Sequence, residues 1–138
     1  MRRAGWNYLM VAPESGSERT LARMRKKTDL STVPEKIRMI KKSGMLAIGS
    51  FIIGYPDETL DDINMTAELI DKCDFDMVSV NKFQPLPGTP IFDELVEKGE
   101  IGPDFIPVDT MGPSRYAPQG MTCAELDRVH RWIYPSFT

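Results

Sequence analysis

Apolar and polar positions fall in regular blocks along this 138-residue chain. Three short apolar runs, Trp6–Ala12, Ala47–Ile53 and Met77–Phe83, each pass straight into a small, polar, turn-forming cluster. The clusters are Pro13-Glu14-Ser15-Gly16-Ser17, Gly54-Tyr55-Pro56-Asp57-Glu58-Thr59 and Gln84-Pro85-Leu86-Pro87-Gly88-Thr89-Pro90. Near-continuous hydrophobicity, clearest in the first run, predicts parallel strands covered on both faces. Helical periodicity fills the gaps. Ser17 is placed to cap a short helix, Glu18–Arg25,. Thr32 and Glu35 have the spacing of a capping box, and Val33, Ile37, Ile40 and the stem of Lys41 give the next helix its stripe before Gly44 ends it,. Thr59 and Asp62 open a third helix, with Leu60, Ile63, Ala67 and Ile70 as its apolar positions, and a fourth, Ile91–Lys98, closes at Gly99,.

Strands alternating with helices in this order imply a parallel sheet with right-handed crossovers. Residues 1–100 therefore read as a (βα)3 unit of an α/β domain. Residues 101–138 read as a loop-rich extension on the same domain, carrying Pro103, Pro107, Pro113 and Pro118. Thr122 and Glu125 then open a final amphipathic helix to about Tyr134,.

Composition narrows the function. With 41% hydrophobic and 27% charged residues, the chain sits in the ordinary range for a soluble globular domain of one core,. A net charge of -3 gives no basic footprint for nucleic acid,. Nothing approaches the roughly 18 continuous apolar residues of a membrane span, so no span and a cytoplasmic location are expected. Cys73 and Cys123 stand far apart without a CxxC, and His130 is the only histidine, so no metal site is expected within this chain,.

In a parallel α/β sheet, ligands bind outside the carboxyl ends of the strands, which is where the three clusters lie. Glu14, Ser15 and Ser17 offer a carboxylate and two hydroxyls to a polar ligand, or Ser17 merely caps a helix and Glu14 favours its positive end. Gly54 lets a flat ligand approach the backbone, or serves a tight turn with an acidic helix start at Asp57 and Glu58. The proline-stiffened Gln84–Pro90 loop either lines a pocket or is a rigid connector. Asn81 and Gln84, on a strand and at its end, are plausible pocket contacts on chemical grounds. No GxGxxG or GxxxxGK[ST] cradle occurs,. His130 reads as a helix-face residue, the two cysteines as free thiols, Lys26-Lys27 and Lys41-Lys42 as solvated faces, and the methionines as core filling.

Taken in order, the three junctions resemble the second half of a radical S-adenosylmethionine domain. The likeness rests on Glu14-Ser15-Gly16-Ser17-Glu18-Arg19-Thr20-Leu21 with Met24 and Lys26, on Gly49–Thr59, and on Pro85–Pro90. It covers roughly residues 4–100 and is nearest to the group carrying an upstream cobalamin-binding domain, including anaerobic magnesium-protoporphyrin ester cyclase-like proteins. The resemblance implies the parallel (βα)3 half of a partial (β/α)6 TIM-type barrel. It implies that Glu14, Ser15 and Ser17 sit near the ribose or methionine moiety of S-adenosylmethionine. It places Ser50, Ile52 and Gly54 behind the adenine and Lys26 at a family basic position. It implies a [4Fe–4S] cluster in the parent, with cobalamin as a further candidate, yet the cluster-binding CxxxCxxC is absent here. Ser50 stands for a usual glycine and Asp57 for a usual glutamate.

The expected function is thus the nucleoside-holding side of a radical enzyme's pocket, with no catalytic residue in this chain and no activity alone. The parent would cleave the cofactor reductively for radical cyclisation, methyl transfer or hydrogen abstraction on a small-molecule substrate. Met1 directly before Arg2-Arg3-Ala4-Gly5 suggests a truncated product or a cloning boundary. The alternative is a stand-alone module for a nucleotide-like ligand. A third reading, a hydrolase fragment, rests on Glu14, Asp57 and Glu58. A half barrel leaves an open edge and inner face. Those are expected to be covered by the missing N-terminal half, by the Glu100–Thr138 tail, or by a second copy in a homodimer.

Overall fold

The computed structural model describes residues 5–133. Strands β1 (Tyr8–Glu14), β2 (Leu46–Ile53) and β3 (Met77–Lys82) form one parallel sheet in the order β1-β2-β3. Helices α1 (Glu18–Arg23) and α2 (Val33–Lys42) connect β1 to β2, α3 (Leu60–Lys72) connects β2 to β3, and α4 (Pro90–Glu97) and α5 (Cys123–Ile133) follow. The α/β class and the alternation expected from the sequence are present.

Helix starts follow local chemistry. The Thr59 side chain accepts from the Asp62 amide while Asp62 reaches back to the Thr59 amide, a complete capping box,. Thr122 and Glu125 make the same reciprocal bonds before α5. The expected Thr32–Glu35 box does not form. Asp29 instead caps a 3-10 turn, Leu30–Thr32, that runs directly into α2 and leaves Thr32 in helical geometry without a side-chain cap,. β1 also starts and ends two residues later than expected, at Tyr8–Glu14, because Pro13 and Glu14 remain extended.

The helix side of the sheet is the core. Phe51, Ile53 and Val80 pack with Ile63, Ala67 and Ile70 of α3 and with Leu126 and Ile133 of α5. Ala47 packs with Val33, Ile37 and Ile40 of α2. Each buried isoleucine contributes about 2 kcal/mol of transfer free energy. Phe75 closes the base edge-on against Phe51, with ring centroids 5.8 Å apart. Leu60, expected on the buried stripe of α3, is exposed.

The opposite side differs from expectation. Tyr8, Met10, Leu46 and Met77 are 54%, 56%, 51% and 60% exposed, so β1 is not covered on both faces. Alternate side chains of a strand share a face, and Met10, Ile48 and Met77 are register partners across all three strands,. This open face is apolar where the strands begin. Among the described residues the tail leaves Tyr8, Met10, Leu46 and Met77 exposed. It instead seals the outer edge of β3. Thr110 O accepts from the Lys82 amide at 3.4 Å, and a His130 ring nitrogen lies 2.8 Å from the Val80 carbonyl. Lys82 Nζ, on a 3% exposed side chain, donates to Asp127 Oδ1 at 2.6 Å and to the Gly112 carbonyl. Residue 134, the expected end of the last helix, lies outside the described residues.

Candidate functional site

The β1–α1 junction divides its motif between two tasks. Ser15 Oγ and Thr66 Oγ1 are 3.2 Å apart, and Ser15 Oγ accepts from the Ser17 amide. Ser17 caps α1 and donates to Asp62 Oδ1 at 2.6 Å. Both serines are fully buried against α3. Gly16 makes that approach possible, since a Cβ there would fall 2.6 Å from the Thr66 Cα,. Glu14 behaves differently. It ends β1 at a φ of 71° and faces Lys26 Nζ at 3.3 Å, with Lys26 half exposed.

At the β2–α3 junction, Gly54 takes a φ of +76° and its Cβ direction points at Leu126, which a side chain would meet at 2.6 Å. Glu58 holds this turn from below. Its Oε2 accepts from the amides of Gly54 and Tyr55, while its side chain is 1% exposed. Burial pushes the Glu58 carboxyl up to about 7 despite those two donors,. Asp62 goes the other way. Burial alone would raise it, but Arg19, Ser17 and Thr59 hold it well below the usual carboxylate range.

The open face carries the remaining sequence candidates. Ser50 and Ile52 are half-buried there and are register partners of Ser79 and Asn81. Asn81 donates to Ser79 Oγ at 3.2 Å and accepts from the Thr110 hydroxyl at 3.1 Å. Beyond the strand end, Gln84 Oε1 receives the Val108 amide at 3.5 Å, whereas its buried Nε2 lacks a hydrogen-bond partner. The structure therefore brings Ser50, Ile52, Ser79 and Asn81 into one strip and sets Glu14 with Lys26 at the strand ends. Ser15 and Ser17 are turned into the α3 interface instead.

Sequence reasoning missed a clamp built on α1. Arg23 donates to Asp57 Oδ2 at 2.8 Å and to Glu94 of α4, and Arg19 pairs with Asp62 and the Asp57 carbonyl. The four-residue spacing of Arg19 and Arg23 on one helix face was a usable signal. These pairs tie all three junctions together and border a cleft of about 510 Å³ lined by Arg19, Thr20, Arg23, Pro56, Asp57 and Glu58. The carboxylates behind the hydrolase reading are held apart in purpose: Glu14 by Lys26, Asp57 by Arg23, Glu58 by backbone amides.

An iron–sulfur cluster does not fit this donor set. Cys73 is buried and Cys123 partly so, and among the described residues no three His, Cys, Asp or Glu side chains converge to hold a metal. Burial raises both thiols above their ordinary range.

Comparison with known proteins places the chain. The family model described as the radical SAM superfamily matches residues 1–70, half of the chain. A threonylcarbamoyladenosine tRNA methylthiotransferase from Thermotoga maritima is 36% identical over 86 residues, covering 60% of this chain and 20% of the relative. A tRNA-2-methylthio-N(6)-dimethylallyladenosine synthase from Nitrosomonas europaea is 38% identical over 90 residues, covering 62% and 20%. The chain thus spans about a fifth of the length of these curated relatives. The structure of an archaeal Elp3 from Methanocaldococcus infernus superposes with a TM-score of 0.59 at 13% identity, over 97% of this chain and 36% of that one, a likeness of fold.

Proposed function

The chain belongs to the radical SAM superfamily, and we propose that it forms the nucleoside-holding side of a cofactor pocket. The cluster-carrying side then belongs to another part of the parent protein. The open face of the sheet carries this reading. Its polar strip is Ser50, Ser79 and Asn81, Glu14 pairs with Lys26 at the end of β1, and the buried, unpartnered Nε2 of Gln84 lies beyond the end of β3. Bound S-adenosylmethionine would supply the radical chemistry of the parent, and this chain's residues would hold its nucleoside side. This chain's residues bind and orient. Glu14 accepts from ribose hydroxyls, Lys26 meets a carboxylate, and Ser50, Ile52 and Asn81 back the base with Gly54 ending their wall. No step runs through a cluster here, because the donor set does not hold one.

Names of relatives bear on the parent's reaction. The Thermotoga relative is a methylthiotransferase by name and the Nitrosomonas relative a synthase of a methylthio-modified tRNA adenosine, which favours group transfer over cyclisation. They lend no support to a cyclase-like subgroup or to cobalamin. The missing half of the barrel is the proposed partner, pairing along the free edge of β1 and covering Tyr8, Met10, Leu46 and Met77. A cytoplasmic setting suits the reading, and among the described residues no helix is long and apolar enough to cross a membrane.

Equilibrium dialysis of the 138-residue chain with labelled S-adenosylmethionine tests the assignment. Retention that falls on Glu14→Gln supports it. Retention indifferent to Glu14 and Lys26, or none at millimolar ligand, counts against it.

A further inference from the structure

The ion pairs around α1 leave one carboxylate out. Arg19 serves Asp62, Arg23 serves Asp57 and Glu94, and Lys26 serves Glu14, but Glu58 joins none of the ion pairs among the described residues. Glu58 is nevertheless 1% exposed. Its Oε2 is occupied by two amides, whereas its Oε1 has no hydrogen-bond partner. The hydroxyl of Thr20, 3% exposed, is likewise unpartnered. Both side chains line the 510 Å³ cleft between α1 and the turn before α3. Buried polar atoms are nearly always satisfied, so two orphans on one cleft point to something that belongs there.

Its chemistry follows from the lining. Both orphan oxygens can accept, and the Glu58 carboxylate makes an ion pair with neither arginine of the cleft. An anion would find every guanidinium already matched to a carboxylate. We propose that this cleft binds the primary ammonium group of a small amine, its N–H donors shared between Glu58 Oε1 and Thr20 Oγ1. None of the open-face residues takes part, so the site stands independently of the cofactor-pocket reading. The groups facing Glu58 are Arg19 of α1, which favours its ionised form, and Asp62 of α3, which opposes it. Asp57 lies beside it in the turn, paired to Arg23. Because the ammonium competes with the proton that Glu58 holds up to about pH 7, binding strengthens as pH rises,.

The test is a ¹⁵N–¹H NMR titration of the whole chain with methylammonium chloride at constant ionic strength, at pH 8 and pH 6. Tetramethylammonium, which has no N–H, is the control. The site predicts saturable shifts of the Thr20, Gly54 and Tyr55 amides at pH 8. Affinity falls about tenfold at pH 6, as the ionised fraction of a group titrating near 7 requires,. It falls at least as far in Glu58→Gln. Absence of saturable shifts at pH 8, equal shifts with tetramethylammonium, or undiminished affinity in Glu58→Gln overturns the proposal. Thr20→Val provides a second arm where Glu58→Gln does not fold. Weaker binding there supports the site, and unchanged affinity overturns it.

Discussion

Ser17 donates its hydroxyl to Asp62 Oδ1 at 2.6 Å, joining the first residue before α1 to the first turn of α3. The same carboxylate receives the Thr59 amide at 2.8 Å and the Thr59 hydroxyl at 2.7 Å. One buried aspartate thus caps its own helix and anchors its neighbour's. Ser17→Ala removes a cap and a charge-assisted bond together. The expected cost is about 1–3 kcal/mol, read as a lowered urea midpoint with an unchanged slope. A midpoint equal to that of the parent chain would show the bond to be idle.

Two carboxyls give stability opposite slopes with pH. Burial pushes Glu58 from the ordinary 4.5 up to about 7 in the folded chain, so its contribution is complete below 4.5 and lost as pH rises through 7,. The loss is roughly 3 kcal/mol at most for such a shift. Asp62 is depressed from 3.8, so its contribution is present above that value and lost as pH falls further. Denaturation at pH 5 and pH 8 reads a difference in which Glu58 disfavours pH 8 and His130, lowered by burial, works the other way,. Glu58→Gln should shift that difference in favour of pH 8. An unaltered difference in the variant would assign the slope to other groups.

Much of the fold was legible because its signals are local. Thr59 with Asp62 and Thr122 with Glu125 each close a box within four residues, and both form as spaced. Thr32 with Glu35 has the same spacing and fails, because Asp29 starts a helical turn three residues earlier. What stayed hidden is long-range. Nothing near Ser15 or Ser17 says that α3, some fifty positions on, would claim both hydroxyls. The bulge between Val11 and Glu14, which sets where Glu14 falls, has no signature in composition either,. The apolar run of β1 could not reveal which of its faces would be left open.

Lys82 and Asp127 form a buried ion pair between β3 and α5 whose loss should loosen the tail. Lys82 is 3% exposed, and Asp127 also accepts from Ser114. Breaking one member of such a pair leaves a buried charge and costs about 3–5 kcal/mol. Asp127→Ala should therefore expose residues 100–121 to limited proteolysis. Pairing Lys82→Met with Asp127→Leu should restore protection in large part. Equal protection in the single variant would mean that Leu126 and Ile133 hold α5 unaided.

Exposed Tyr8, Met10, Leu46 and Met77 give the chain an apolar sheet face beside the edge of β1 that no other strand pairs among the described residues. In the isolated chain, two copies should meet through it. Sedimentation velocity should show a concentration-dependent dimer that Met10→Lys disperses. A monomer at every concentration would remove the self-association.

The claim that the open face is the nucleoside side of a cofactor pocket is tested most directly by residue-resolved NMR of this chain with S-adenosylmethionine. Saturable shifts should gather at Glu14, Lys26, Ser50, Ile52, Gly54, Asn81 and Gln84. Shifts confined to the helix side of the sheet, or none at any of these positions up to millimolar ligand, would contradict it.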